Sequence, residues 1–181
     1  MYNYGKFPKV GKHMNITGVT LDDAQAILDI YAPYVLETAV TFEYDVPALD
    51  EFTSRIEDAL KKHVYLKAVD DDGVIHGFAF AHAFRSRKAY DHCVEVTIYI
   101  RKDDRRKGLG EALYSELERQ LSAKGYTNFY ACVAIGEDEY LTDASPCFHR
   151  KMGYKEVGTF SKCGKKFGHV YDMVWFEKII E

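Results

Sequence analysis

The chain has 181 residues, of which 47% are hydrophobic, and a formal net charge of -4. This length is enough for one buried core and short for two, and the small negative charge gives no general attraction to nucleic acid, so any anion site must be a local patch. No apolar run approaches the ~20 residues that span a bilayer, and the N-terminus lacks the apolar core of a signal peptide. We therefore expect one cytoplasmic domain without nucleic-acid or membrane partners.

The cysteines and the N-terminal segment predict no chemistry of their own. Cys93, Cys132, Cys147 and Cys163 are widely separated and form no CxxC pair, which is typical of buried or incidental thiols rather than of a disulfide framework or a zinc site. The sequence gives no support for a metal. Residues 1–14 carry lysines but no acidic residue and show no periodicity. We interpret them as an extension or an added leader, followed by a single domain over residues 15–181.

From residue 15 onwards the hydrophobic pattern is regular. Helices are predicted over residues 21–34, 48–62, 109–121 and 143–151, the third with a leucine at every fourth position. Strands are predicted over residues 16–19, 64–69, 74–84, 93–100, 128–135, 155–161 and 169–176. The Asp-Gly pair that ends residues 70–73 predicts an antiparallel hairpin, and the strands on either side of the leucine-rich helix predict a right-handed crossover. The fold class is mixed α/β.

A glycine-containing turn stands between the fourth strand and the leucine-rich helix. Its sequence motif is Arg105-x-x-Gly108-x-Gly110. The first turn of a helix presents free N–H groups and the positive end of the helix dipole, which together bind phosphate, and glycine lets a ligand approach the backbone. The P-loop motif is absent, and the dinucleotide-binding motif GxGxxG would need a glycine at position 113, where this chain has leucine. At this point a basic helix N-terminus that is merely solvated is an open alternative.

This turn, placed after CVEVTIYI and before an amphipathic helix, resembles motif A of the GNAT acetyltransferases. Two further stretches, RSRKAYD ahead of VEVTIYI and the late GKKFGHVYDMVW, are similar to the phosphinothricin and methionine sulfoximine acetyltransferase branch of that family. The resemblance extends from about Ile16 to Trp175. It implies the GNAT fold, a mixed and mostly antiparallel central sheet of about seven strands flanked by about four helices.

The resemblance also implies acetyl-CoA as the cofactor. The residues expected to bind it are Ile98, Ile100, Arg105, Arg106, Lys107, Gly108, Leu109, Gly110 and Ser145, the first two through their backbone. One stretch departs from the branch. Where the branch usually reads IGLPN with a serine three positions later, this chain has AIGEDEYLTDAS, longer and more acidic, with Thr142 in place of the asparagine.

The family mechanism, direct attack of an amine on a thioester, needs a base because an ammonium group is not a nucleophile. Glu95 matches the catalytic glutamate of the family, and burial would raise its pKa toward a useful value; from the residue pattern alone, a solvent-facing glutamate on an edge strand is the alternative. His149 in FHRKMGY matches a histidine implicated in the active site, although a lone helical histidine is more often structural. Tyr99 could donate a hydrogen bond to the oxyanion or to the leaving thiolate, or be a core tyrosine.

Arg85 and Arg87 are the candidate acceptor-binding pair. In an extended segment their side chains would point the same way, and two guanidinium groups suit a carboxylate together with a tetrahedral oxyanion group. A solvated basic loop is the alternative. Phe42, Glu43 and Tyr90 are expected to line the pocket, although Phe42 also suits a core position. The predicted acceptor is the α-amine of a small amino-acid-like molecule such as phosphinothricin, methionine sulfoximine or methionine sulfone.

Two other functions stay open at this stage. One is a non-catalytic acyl-CoA-binding sensor, which the retained Glu95 disfavours. The other is an acetyltransferase acting on polyamines or protein N-termini, which Arg85 and Arg87 disfavour for a polycation and the acidic GEDEYLTD stretch favours. The branch resemblance also implies a homodimer.

Overall fold

A computed structural model describes residues 13–105 and 108–180 of the protein. Within these ranges seven strands form one sheet: β1 (Met14–Gly18), β2 (Tyr65–Asp70), β3 (Ile75–Ala83), β4 (Cys93–Ile100), β5 (Asn128–Ile135), β6 (Lys155–Lys166) and β7 (His169–Ile179). Their spatial order is β1-β2-β3-β4-β5-β7-β6. The α-helices are α1 (Ala24–Glu37), α2 (Leu49–Leu60), α3 (Leu109–Ala123) and α4 (Ala144–Lys151). The predicted fold class is confirmed.

Strand pairing follows the predicted pattern. β4 and β5 pair in parallel, as a crossover through α3 requires, whereas the other neighbours are antiparallel. The expected hairpin joins β2 to β3, where Gly73 has a φ of +81° and donates its N–H to the Asp70 carbonyl. β1 begins at Met14, so that residue belongs to the sheet. Residues 1–12 of the predicted extension lie outside the described part of the chain, and the domain boundary at residue 15 stays a prediction.

The last hairpin is longer than predicted. β6 continues to Lys166 and β7 to Ile179, because Phe167 and Gly168 both adopt positive φ angles and make a tight turn that lets pairing run to its end. The sequence pattern stopped at residue 161 since residues 161–163 form a bulge opposite Asp172 and break the alternation. Asp172 accepts a hydrogen bond from the Lys162 N–H at 2.6 Å.

Each face of the sheet has its own hydrophobic core. On one face α3 buries its leucine repeat against β2, β3 and β4, which confirms the predicted helix. On the other face α1 and α2 cover β2, β3 and β4. Side chains of β4 therefore alternate: Val94 and Val96 join the α3 core, while Glu95, Thr97 and Tyr99 face the side of α1 and α2. No helix in the described ranges is long and apolar enough to cross a bilayer.

Candidate active site

The sheet opens between β4 and β5. The two strands pair only from Cys93 opposite Asn128 to Glu95 opposite Tyr130. Beyond that point β4 stays paired with β3, and β5 with β7, but β4 and β5 no longer pair with each other. We call the gap between residues 96–100 and 131–135 the wedge. It exposes strand backbone that an ordinary sheet would satisfy internally.

The backbone of β4 aims polar groups into the wedge. The Arg101 N–H donates to the His76 carbonyl of β3 at 2.8 Å, and alternation along an antiparallel pair then turns the peptide groups of Ile98 and Ile100 toward the wedge. In this structure Ile100 already has a partner. Its N–H donates to the Tyr34 hydroxyl at 3.3 Å, and that hydroxyl donates to the Ile100 carbonyl at 2.6 Å. Sequence reasoning missed Tyr34, because nothing in the spacing of α1 distinguishes it from other buried tyrosines.

The turn before α3 closes one end of the wedge. Gly108 caps the helix with a φ of +78°, a conformation that favours glycine. Glycine at position 110 was expected to let a ligand approach the backbone, but the structure shows a packing reason for it. A Cβ there would lie 3.3 Å from a ring carbon of Phe148 and 3.7 Å from Cδ1 of Ile98. Gly110 thus permits close packing of α3 against α4 and β4. Arg105 lies with its guanidinium 5.0 Å from the centre of the Tyr34 ring.

Four other residues were predicted to bind the cofactor: Arg106, Lys107, Leu109 and Ser145. Leu109 is 8% exposed and belongs to the α3 core, so only its backbone could face a ligand. Arg106 and Lys107 lie outside the described residues. Ser145 lies in the first turn of α4, where its carbonyl accepts a hydrogen bond from Nδ1 of His149 at 2.9 Å. Thr142, the residue that departs from the branch, accepts a hydrogen bond from the Ala144 N–H at 3.4 Å and so helps to start α4.

Glu95 lies on the face of the sheet opposite α3, at the point where the wedge opens. Its side chain is 20% exposed, and Nε2 of His82 lies 3.9 Å from its Oε1. Burial raises the pKa of Glu95, and the charges of His82 and Arg85 oppose that rise. A raised pKa makes a half-buried carboxylate a stronger base than an exposed one, which suits it to take a proton from an amine. His82 is the cross-strand neighbour of Glu95 in the β3–β4 register, a partner that sequence reasoning did not identify.

The two candidate acceptor-binding arginines are both exposed, but the reasoning that paired them does not hold. Residues 84–87 form bends rather than a regular strand, so side-chain alternation does not apply there. Arg85 places its guanidinium 4.2 Å from the centre of the Phe84 ring and donates to the Phe84 carbonyl at 2.8 Å. Tyr90 is 39% exposed and meets Phe84 edge-on with ring centres 6.1 Å apart. The structure brings Arg85, rather than the pair, toward Glu95.

Residues 38–43 are held in place by contacts with β6, an edge strand of the sheet. Lys166 is 1% exposed and donates from Nζ to the carbonyls of Thr38 and Thr41, both at 2.8 Å. The Phe42 ring lies directly over Gly164, where a Cβ would come within 2.2 Å of it. The GKKFG stretch, noticed in the sequence only as a branch signature, therefore carries the residues that hold this segment.

Glu43 ends that segment beside α2. Its Oε1 accepts a hydrogen bond from Arg55 at 2.5 Å. Its Oε2 is buried and has no hydrogen-bond partner within residues 13–105 and 108–180. Glu43 thus lies beside α2 at the edge of the site, and among the described residues only one of its carboxylate oxygens accepts a hydrogen bond.

The structure does not support a proton-transfer role for His149. The residue is 4% exposed and packs among Tyr114, Phe148, Tyr154 and Phe176 on the α3 face, so it lies across the sheet from Glu95. Both ring nitrogens are occupied. Nδ1 donates to the Ser145 carbonyl, and Nε2 accepts from the Tyr114 hydroxyl at 3.0 Å. Burial lowers the pKa of His149 to about 4, so the ring is neutral and structural.

Tyr99 shares the face of Glu95 but lies further along β4, in an aromatic cluster. Its ring meets those of Tyr31 and Tyr34 edge-on, with centres 5.0 Å and 4.9 Å apart. Burial raises its pKa well above the usual value, so the hydroxyl stays protonated. Tyr99 can therefore donate a hydrogen bond. Through its contacts with Tyr31 and Tyr34 it also lines the space between the sheet and the helices α1 and α2.

Comparison with known proteins decides the family. The family model described as an acetyltransferase (GNAT) domain matches residues 16–175. The chain belongs to the GNAT acetyltransferases. It is 29% identical to a phosphinothricin N-acetyltransferase of Streptomyces viridochromogenes over 168 residues, which cover 93% of this chain and 88% of that protein. It is also 30% identical over 112 residues, 62% of each chain, to an L-methionine sulfoximine/L-methionine sulfone acetyltransferase of Pseudomonas paraeruginosa.

Solved structures agree with this assignment. A phosphinothricin acetyltransferase from Sinorhizobium meliloti, solved in complex with acetyl-CoA, superimposes with a TM-score of 0.85 at 29% sequence identity, covering 92% of this chain and 88% of that one. The protein is therefore an acetyltransferase of the GNAT type, and acetyl-CoA is its acetyl donor. The residues present fit that donor, because the Ile98 peptide group faces the wedge, where β4 and β5 do not pair, and could meet an extended amide-containing arm, while the first turn of α3 offers N–H groups for a pyrophosphate.

Proposed function

We propose that this GNAT enzyme acetylates the α-amine of a small amino-acid-like molecule, with Glu95 as the general base. The observation that carries the proposal is the position of Glu95, a half-buried carboxylate of raised pKa at the mouth of the wedge. The relatives named for phosphinothricin and methionine sulfoximine support an amino-acid analogue as the acceptor. Phosphinothricin, methionine sulfoximine and methionine sulfone are therefore the first acceptors to test.

The residues of the chain divide the chemistry between them. An α-ammonium group with a pKa of ~8 must lose a proton before it can react, and Glu95 accepts that proton directly or through a water molecule. When bound, acetyl-CoA would supply an acetyl thioester, whose carbonyl carbon would form the new C–N bond as the C–S bond breaks; coenzyme A would leave as the thiolate, which takes up the proton that the nitrogen loses in becoming an amide. The Arg85 guanidinium, which lies close enough to lower the pKa of Glu95, is placed to receive the acceptor's carboxylate.

The test is coenzyme A release from acetyl-CoA with each acceptor, for the natural enzyme and for Glu95→Gln. We expect the substitution to lower kcat by about 10²–10⁴-fold, the usual contribution of general-base catalysis, with a smaller change in KM. Thr97→Val, on the same face of β4, is the matched control for disturbance of the strand. Equal activity of Glu95→Gln and the natural enzyme would contradict the proposal. Binding of acetyl-CoA without turnover of any amine would favour the non-catalytic sensor.

The acidic GEDEYLTD stretch, which in the sequence favoured a polyamine acceptor, supports that acceptor less once its contacts are known. Asp138, at its centre, accepts hydrogen bonds from the Tyr171 hydroxyl at 2.7 Å and the Tyr140 N–H at 2.9 Å, and it lies 3.2 Å from His169. This carboxylate organises its own loop. Spermidine and a peptide N-terminus belong in the acceptor panel as the competing substrates, and faster turnover of either would replace the proposed acceptor class.

We also propose that the enzyme is a homodimer. Residues 155–163 of β6 are exposed at every position, and this strand forms one edge of the sheet. Phe160 and Val157 are 60% and 54% exposed on it, an apolar edge that proteins usually cover. Sedimentation of the natural enzyme and of Phe160→Lys tests this, since a monomeric natural enzyme would contradict it. The expected cytoplasmic location stays a prediction.

A further inference from the structure

A cavity of about 240 Å³ lies between the α1 and α2 helices and the sheet. Protein cores are close-packed and hold few voids larger than a water molecule, whereas an apolar cavity of about 150 Å³ is enough to bind benzene. Six of the side chains that line it are aromatic: Tyr31, Phe52, Tyr65, Phe78, Phe80 and Tyr99. The space therefore matches a flat ring in both size and surroundings.

The cavity suits a side chain without negative charge. Among the described residues that line it, Arg55 alone carries a charge, and its guanidinium already donates to Glu43 at 2.5 Å and to Glu51 at 2.6 Å. A phosphinate or carboxylate entering here would meet a cation that two carboxylates have already paired. Phe80 and Tyr65 stack with ring centres 4.7 Å apart, which leaves an apolar wall for another ring.

The cavity lies at a suitable distance from the proposed base. Phe80 is opposite Thr97 in the β3–β4 register, and His82 is opposite Glu95. All four side chains lie on the face of α1 and α2. Glu95 is thus two residues, about 6.6 Å, along the strand from the cavity wall. An amino acid with its amine at Glu95 would reach the cavity with the ring of a phenylalanine or tryptophan side chain.

We propose that this cavity receives the acceptor's side chain, and that the enzyme prefers amino acids with large aromatic side chains. The inference rests on the proposed function, because it places the reacting amine at Glu95 and the acceptor's carboxylate near Arg85. It refines the acceptor class: a ring is bound better than the phosphinate or sulfoximine side chains of the acceptors considered above. Ile56, 1% exposed on α2, is the aliphatic residue that faces the ring.

The experiment compares kcat/KM for L-phenylalanine, L-tryptophan, L-alanine and phosphinothricin in the natural enzyme, Ile56→Phe and Leu60→Phe. Ile56→Phe fills the cavity, and Leu60→Phe adds the same ring at an exposed position of the same helix. We expect L-phenylalanine to exceed L-alanine and phosphinothricin by at least about tenfold, the scale on which apolar pockets discriminate. Ile56→Phe should abolish that ratio, chiefly through KM, while Leu60→Phe keeps it. If Ile56→Phe proves unfolded by thermal melting, Phe80→Ala replaces it and should shift the preference toward L-tryptophan.

The outcomes separate the two proposals. Equal or better use of phosphinothricin or L-alanine, with a ratio that Ile56→Phe leaves unchanged, overturns the aromatic preference and leaves N-acetylation intact. Binding of N-acetyl-L-phenylalanine, measured by calorimetry, is the second readout. If no acceptor turns over but this compound binds and Ile56→Phe abolishes the binding, the proposed function fails and the cavity assignment stands. If the compound does not bind and no aromatic acceptor reacts, both fail.

Discussion

Lys166→Met tests whether one buried ammonium holds the segment that carries Phe42 and Glu43. The Lys166 side chain is 1% exposed, and its two hydrogen bonds of 2.8 Å end on the carbonyls of Thr38 and Thr41. A hydrogen bond that involves a charged group contributes about 1.5–3 kcal/mol, so two represent about 3–6 kcal/mol. Methionine has similar length and needs no desolvation of a charge, which offsets part of that loss. We expect a net destabilisation of about 2–4 kcal/mol.

Urea denaturation measures this difference in the free energy of unfolding. For a domain of this size a loss of about 2–4 kcal/mol corresponds to a Tm lower by roughly 5–15 °C. The midpoint should fall with an unchanged slope, because the same surface is exposed on unfolding. KM for the acceptor should rise as well, since residues 38–43 lose two of their anchors.

Lys165→Met is the matched control, because Lys165 is the exposed neighbour of Lys166 on the same strand. It should change the free energy of unfolding by no more than about 0.5 kcal/mol. If Lys166→Met is no less stable than Lys165→Met, the two hydrogen bonds do not fix the segment and the reasoning is refuted.

Three further changes can be measured. Gly164→Ala places a Cβ 2.2 Å from the Phe42 ring and should cost about 1–3 kcal/mol, whereas Gly158→Ala on the same strand has nothing within 4 Å and should be neutral; equal melting temperatures would contradict this. Burial lowers the pKa of His149 to about 4, so on acidification the imidazole is protonated in the unfolded chain at a higher pH than in the folded protein. Stability is therefore lost as the pH falls from about 6.5 toward about 4. His149→Phe should therefore lose about 2 kcal/mol less than the natural enzyme between about pH 7 and about pH 5, and equal losses in urea would argue against it. His82→Asn removes a charge that lowers the pKa of Glu95, so the acidic limb of the pH profile of kcat/KM should move to higher pH; an unmoved limb would show that Glu95 does not sense His82.

The parts of the fold with local signals could be predicted from the sequence. The leucine repeat of α3 and the Asp-Gly turn between β2 and β3 each depend on residues a few positions apart, and both were found. The contacts that organise the site join distant residues. Lys166 reaches Thr38 across 128 positions, and Tyr34 reaches Ile100 across 66, so no window along the chain contains both partners. His149 shows the opposite case, where a family motif suggested chemistry and its burial indicates a structural role.

The alternation of side chains along β4 also has a consequence for how such an enzyme can diversify. In the mode of binding proposed above, donor recognition at the wedge would depend on peptide groups, which every residue supplies, so aliphatic substitutions at Ile98 and Ile100 that keep the strand would leave it intact. Acceptor recognition would depend on the side chains of the opposite face. A lineage can therefore exchange one amine for another by replacing residues on that face, while the acetyl donor and the core behind it stay as they were.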